Sequence, residues 1–142
     1  MKRRQPLTKT HLLPLPAALV RRQQLRHHVA WSLFLDQRAG TAQLAILLNV
    51  VEITYLLASP EERDAMSTAR FRQAETALGA CFGQLGEGSG VMMGATDREA
   101  IEQILATHDR QLLSVPSHRY LDAQERVKQL AETGRSAIPD QV

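Results

Sequence analysis

The chain reads as an all-α protein: a single-domain bundle of about five helices, with a Gly-rich loop between helices three and four. Three observations lead there. Apolar residues recur at steps of three and four through five stretches. Ser59 and Thr96 are each followed three residues on by a glutamate, Glu62 and Glu99, which is the chemistry of a helix start. Only six aromatic residues stand against many Leu, Ala and Gln, a balance that favours helix over sheet.

The first helix is predicted from Pro16 to about Gln37. The fixed φ of Pro16 suits an opening turn. Leu25, Val29 and Leu33, led in by Ala18 and Arg22, form an expected inward stripe, widened near its end by Trp31, Phe34 and Leu35. Gly40 is expected to supply the left-handed position that releases the chain.

Thr41 then caps a second helix over 42–58, the most apolar element and the expected centre of the bundle. Leu44, Leu47, Leu48, Val51, Tyr55 and Leu57 cover most of its circumference. Ala45, Asn49, Glu52 and Leu56 fall on one line, so the amide and the carboxylate mark a narrow strip facing solvent or a neighbour's polar groups.

The third helix opens at "SPEE", with Ser59 as cap, Pro60 in the first turn and two carboxylates beside the positive end of the dipole, and is predicted to reach about Leu85. Phe71, Ala74, Leu78 and Phe82, flanked by Cys81 and Leu85, form its buried stripe. Gly79 and Gly83 would permit close approach of another helix. "GEGSGVMMGATD" follows as a loop with a brief extended piece at Val91–Met93.

A fourth helix, capped by Thr96 and Glu99, runs to about Leu113 with Ile101, Ile104 or Leu105, His108 and Leu112 on one face. Ser117 caps a fifth, with Tyr120, Gln124, Val127 and Leu130 or Ala131 at helical spacing and an end at Gly134. The organisation is a basic N-terminal arm (1–15), a helical domain (16–134) and a loose C-terminal tail (135–142).

A lone cysteine, Cys81, excludes an intrachain disulfide and a multi-cysteine zinc cage and suits a cytoplasmic protein. Pro14, Pro16 and the Arg21–Arg22 pair interrupt what would otherwise resemble a secretory signal. The run 44–58 is short for a membrane span and contains Glu52. His27 and His28 diverge on a helix, and the His108–Asp109 pair lacks a further ligand one turn away, so no metal is expected, nor any cofactor. Cys81 reads as a small buried hydrophobe rather than a nucleophile. "GEGSG" follows an amphipathic helix rather than a buried strand and has no Lys-Ser/Thr pair after it, so it reads as a connector or a partner-contact loop. No catalytic residue emerges.

Charge is unevenly placed. Through Arg38, eight Lys and Arg stand against Asp36 alone; the remaining residues hold nine basic and fourteen acidic groups. Such polarity orients a molecule toward charged partners. Arg21, Arg22 and Arg26 lie within two helical turns and could meet successive phosphates, with Lys2, Arg3, Arg4 and Lys9 extending the footprint. The alternative is an ordinary solvated basic face. Glu87, Met92 and Met93 on the Gly-rich loop suit a protein contact, burial under the bundle being the other reading of the methionines.

The stretches "LRHHVAWSLFLDQRAGTAQLAILLNVVEITYLLA" (25–58) and "ATHDRQLLSVPSHRYLDAQERV" (106–127) resemble small helical accessory proteins of proteobacterial phages and plasmids, some described as Fis-like regulators. The marks are the His-Xaa-Ala of the first helix, the Gly-Thr turn, Leu48-Asn49 and His108-Asp109. The resemblance implies a non-enzymatic protein of a mobile genetic element that binds and inhibits a host defence nucleoprotein complex, as anti-CRISPR proteins do. The alternative is a DNA-binding transcriptional regulator. The partner would be a host protein or ribonucleoprotein, with nucleic acid reached through the basic N-terminal part and no membrane.

Overall fold

The computed structural model describes residues 12–88 and 90–139, all-helical with no strand among them. Its helices are α1 (Ala17–Leu35), α2 (Thr41–Leu57), α3 (Pro60–Ala65), α4 (Thr68–Gly86), α5 (Ala95–Ser114) and α6 (Ser117–Glu132). Six helices rather than five stand among the described residues, because the expected 59–85 helix breaks at Met66. Glu61 and Glu62 follow Ser59 as expected, and the Ser59–Glu62 capping box forms. The chain then extends at Met66 to bury that side chain, and Ser67 starts a new helix by accepting from the Arg70 N–H.

α2 is the axis of the bundle and touches α1, α4, α5 and α6. Its apolar residues are buried nearly all round: Leu44, Leu47, Val50, Val51, Ile53, Tyr55 and Leu57, with Leu48 only half-buried. A helix hydrophobic on every side belongs in the middle. Its start differs from expectation. Gly40, not Thr41, is the cap, and the Gln43 side chain accepts from the Gly40 N–H at 2.7 Å.

The stripe expected to face inward on α1 is the wrong one. Leu25 is 66% exposed and Val29 47%, while Val20, His27, Ala30, Trp31 and Phe34 are buried. α1 carries two apolar faces. The one with Trp31 and Phe34, whose rings stack 5.2 Å apart, removes more area from water and wins the core. Release at the end of α1 also differs: Gln37 takes the left-handed conformation, φ 62°, with Arg38 N–H bonded to Leu33 O and Gln37 N–H to Phe34 O.

Phe71, Ala74, Leu78 and Cys81 form the buried stripe of α4, with Phe82 and Leu85 half-buried. Gly79 and Gly83 face open space, so they serve no close approach. Gly94 rather than Thr96 is the cap of α5, and no side-chain cap forms there. Pro116 rather than Ser117 is the cap of α6, whose end at Gly134, φ 70°, falls where expected.

Both ends of the described chain are tied down. Leu13 O accepts from the Ser117 N–H at 2.9 Å, Pro14 bridges to Pro116, and Leu15 is buried. Residues 135–139 are not loose. Ile138 is 3% exposed within the main core, and the Ala137 N–H donates to Glu52 Oε1 at 3.3 Å. Glu52 is therefore a buried carboxylate under the returning tail, whereas Asn49 and Ala45 on the same line are exposed.

Candidate functional site

The arginines of α1 lie off its buried face. Arg21, Arg22 and Arg26 are all exposed, within two turns of one another, on a helix held by Val20, His27 and Trp31 beneath. Arg26 lines a cavity of about 60 Å³ shared with Gln23, His27, Asn49 and Tyr120. Lys2, Arg3, Arg4 and Lys9 lie outside the described residues.

The second group sits on the loop after α4. Glu87 is the exposed residue closing that helix, and Gly88 turns the chain with φ 73°. Val91 is buried as an anchor, and the Met92 N–H donates to Gln84 Oε1 at 2.8 Å. Between these two fixed points Met92 is pushed out to 76% exposure, while Met93 is half-buried against the core. The loop shows no extended strand at Val91–Met93. The two groups are apart: Gly90 stands beside Gln37, at the other end of α1 from Arg22, roughly 20 Å along the helix.

A third cluster was not anticipated from the sequence. His108, fully buried on α5, meets α1 and α2 at once. Its ring lies 5.1 Å from that of His27 and 6.2 Å from that of Tyr120. Thr54 Oγ1 is 2.6 Å from Val50 O and 3.0 Å from His108 Nδ1. The hydroxyl proton goes to the carbonyl, so Oγ1 meets His108 Nδ1 as an acceptor and Nδ1–H donates to it. Gln111, one turn further on, donates through Nε2 to Thr54 O at 3.1 Å, satisfying a carbonyl in the last turn of α2. Beside this cluster, His28 Nε2 and Asp109 Oδ2 are 2.7 Å apart at the α1–α5 surface.

Burial holds both core histidines neutral. The His27 pKa is lowered from 6.5 to about 3, by desolvation first and by the neighbouring His108 second; that of His108 is lowered to about 4, again by desolvation. Burial likewise pushes the Glu52 carboxyl and the Cys81 thiol up. Neutral imidazole is the ligating form, yet no group of three or more His, Cys, Asp or Glu side chains able to hold a metal occurs among the described residues. The cluster is suited to locking α1, α2 and α5 together. The sequence signal for it was the pairing of adjacent polar residues, His27–His28 with His108–Asp109, each pair presenting one residue inward and one outward. Two residues of the second pair are legible only once α1 and α5 are known to be neighbours.

Comparison with protein-family models, with curated proteins and with solved structures gave no match. No helix among the described residues is long and apolar enough to cross a membrane.

Proposed function

We propose that this protein is a non-enzymatic, cytoplasmic binding protein of a mobile genetic element that inhibits a host defence nucleoprotein complex, of the kind a CRISPR effector represents. The observation that carries the reading is Met92. A thioether 76% exposed next to a buried anchor, Val91, with its backbone N–H bonded to Gln84, is an apolar projection on a braced backbone, and the exposed Glu87 on the same loop could meet a basic surface. The backbone that presents it is already fixed, and the flexible thioether adapts to an irregular pocket. The excess of acidic groups after Arg38 favours the basic, nucleic-acid-gripping side of such an assembly. The test is titration of the protein against a purified effector complex, scoring target binding and cleavage. Inhibition saturating at a fixed protein-to-effector ratio, and weakened by Met92→Ala and Glu87→Lys, is the expected result. Inhibition by far less than one molecule per effector would point to an enzyme instead.

One observation favours a second reading, DNA-binding regulation: Arg21, Arg22 and Arg26 are exposed together on adjacent turns. Binding to bare duplex DNA would then fall steeply with salt, and replacing the three by Ala would lower the slope by about three phosphate contacts.

A further inference from the structure

The exposed stripe of α1 has an internal order that its spacing alone does not require. At 100° per residue, Arg22, Leu25, Val29, Leu33 and Asp36 all fall within about 40° of one line along the helix. Leu25 and Val29 are 66% and 47% exposed, and Leu33 is half-buried. With Ile46 of α2 they line an open groove of about 330 Å³. Counted from Val29, the order is Arg at −7, Leu at −4, Leu at +4 and Asp at +7. The stripe is thus a palindrome in shape and a complement in charge.

We propose that this stripe is a two-fold interface with a second copy of the chain, the two α1 helices lying antiparallel and crossing at Val29. In that arrangement Val29 meets its own copy and each Leu25 faces the second copy's Leu33. Arg22 and Asp36 lie about 10 Å on either side of the centre, so each Arg22 comes level with the second copy's Asp36, twice per dimer. Arg26 comes level with Ser32. Parallel alignment would instead set Arg22 against Arg22 and Arg26 against Arg26. Charge therefore selects both the partner and its direction. Neither Arg22 nor Asp36 has an ion pair among the described residues, so both are available. The a/d-like spacing of 22, 25, 29 and 36 is that of a helix seam, and an aliphatic strip left in water gains by being covered.

The dimer does not rest on the partner proposed above. Inhibition by a monomer would sink this inference alone, and a dimer without inhibition would sink that reading alone.

The experiment is sedimentation of the full chain across a concentration series. The expected result is a dimer at about 100 µM that dissociates on dilution. Val29→Glu, at an exposed position, should be monomeric with an unchanged helical circular dichroism spectrum. R22E and D36R should each weaken dimerisation about tenfold or more, because each sets like charges together twice. The combined variant, which restores opposite charges at both contacts, should dimerise within a few-fold of the parent. A parent monomeric throughout, a Val29→Glu protein that still dimerises, or a combined variant as weak as the singles would each overturn the proposal.

Discussion

His27 and His108, on helices far apart in the chain, place their rings 5.1 Å apart at a 55° tilt inside the bundle, and both are neutral there. A second positive charge in that space would face the first with little solvent between, so the pair resists protonation together.

Stability should therefore fall on the acid side. The folded pKa values, about 3 and about 4, lie below the 6.5 of an unfolded histidine, so between these limits the unfolded chain binds more protons. The stabilisation is complete above about pH 6.5, declines as pH drops toward 4 and levels off below 3. Each histidine contributes a slope of up to about 1.4 kcal/mol per pH unit. Urea titrations from pH 7.5 to 4.5 measure the slope, and His27→Gln should reduce it; an unchanged slope would show that other groups govern acid unfolding.

Thr54→Val should cost about 1–3 kcal/mol, because the methyl cannot accept from His108 Nδ1–H and a buried donor is orphaned. Thr54→Ser keeps the oxygen and should cost clearly less. Chemical denaturation of both variants makes the comparison, and equal losses would mean that the methyl group matters rather than the hydrogen bond.

Glu52→Gln should stabilise the protein at neutral pH. Glu52 is buried, burial raises its pKa above 4.5, and the Glu75 charge adds to that effect. Its charged form is penalised above the folded pKa, and that penalty disappears as the pH falls toward 4.5. The amide oxygen can still accept from Ala137 N–H. Melting curves should show a higher Tm for the variant at pH 7.5 and a vanishing difference near pH 4.5; a lower Tm at pH 7.5 would contradict this account.

Gly79→Ala and Gly83→Ala should each raise stability by about 0.5–1 kcal/mol, since both glycines lie within α4 and an added Cβ meets nothing within 4 Å. Destabilisation by either, measured in urea, would reveal a use for the bare backbone that the monomer does not show.

The helical class and most boundaries were legible because they depend on local chemistry. The Ser59 box, the run of α2 and the turn at Gly134 are each decided within a few residues. What was not legible depended on competition or on distance. Leu25 and Val29 have the spacing of a core stripe, and only the presence of bulkier Trp31 and Phe34 on the opposite side leaves them outside. Gly40 looked suited to a left-handed turn that Gln37 takes instead. At Glu52 the pattern correctly marked an interruption, but what meets the carboxylate is Ala137, 85 residues on. Of the candidate site, Met92 and the arginines could be named from residue type, while the exposure of Met92 could not be known before Val91 and Gln84 were placed. The His27–His108 contact required the packing of α1 on α5.

The tie between Leu13 and Ser117 spans 104 residues, and the one between Glu52 and Ala137 is nearly as long. Loops of that length close only after most of the chain exists. During synthesis α1 and α2 leave the ribosome first, with Ile53 and Leu57 of α2 still lacking Val115, Tyr120 and Val127, which complete their cluster. α1 and α2 are thus fully covered only once Val115, Tyr120, Val127 and Ala137 are in place, a long-range step that slows folding relative to a bundle held by neighbouring helices alone.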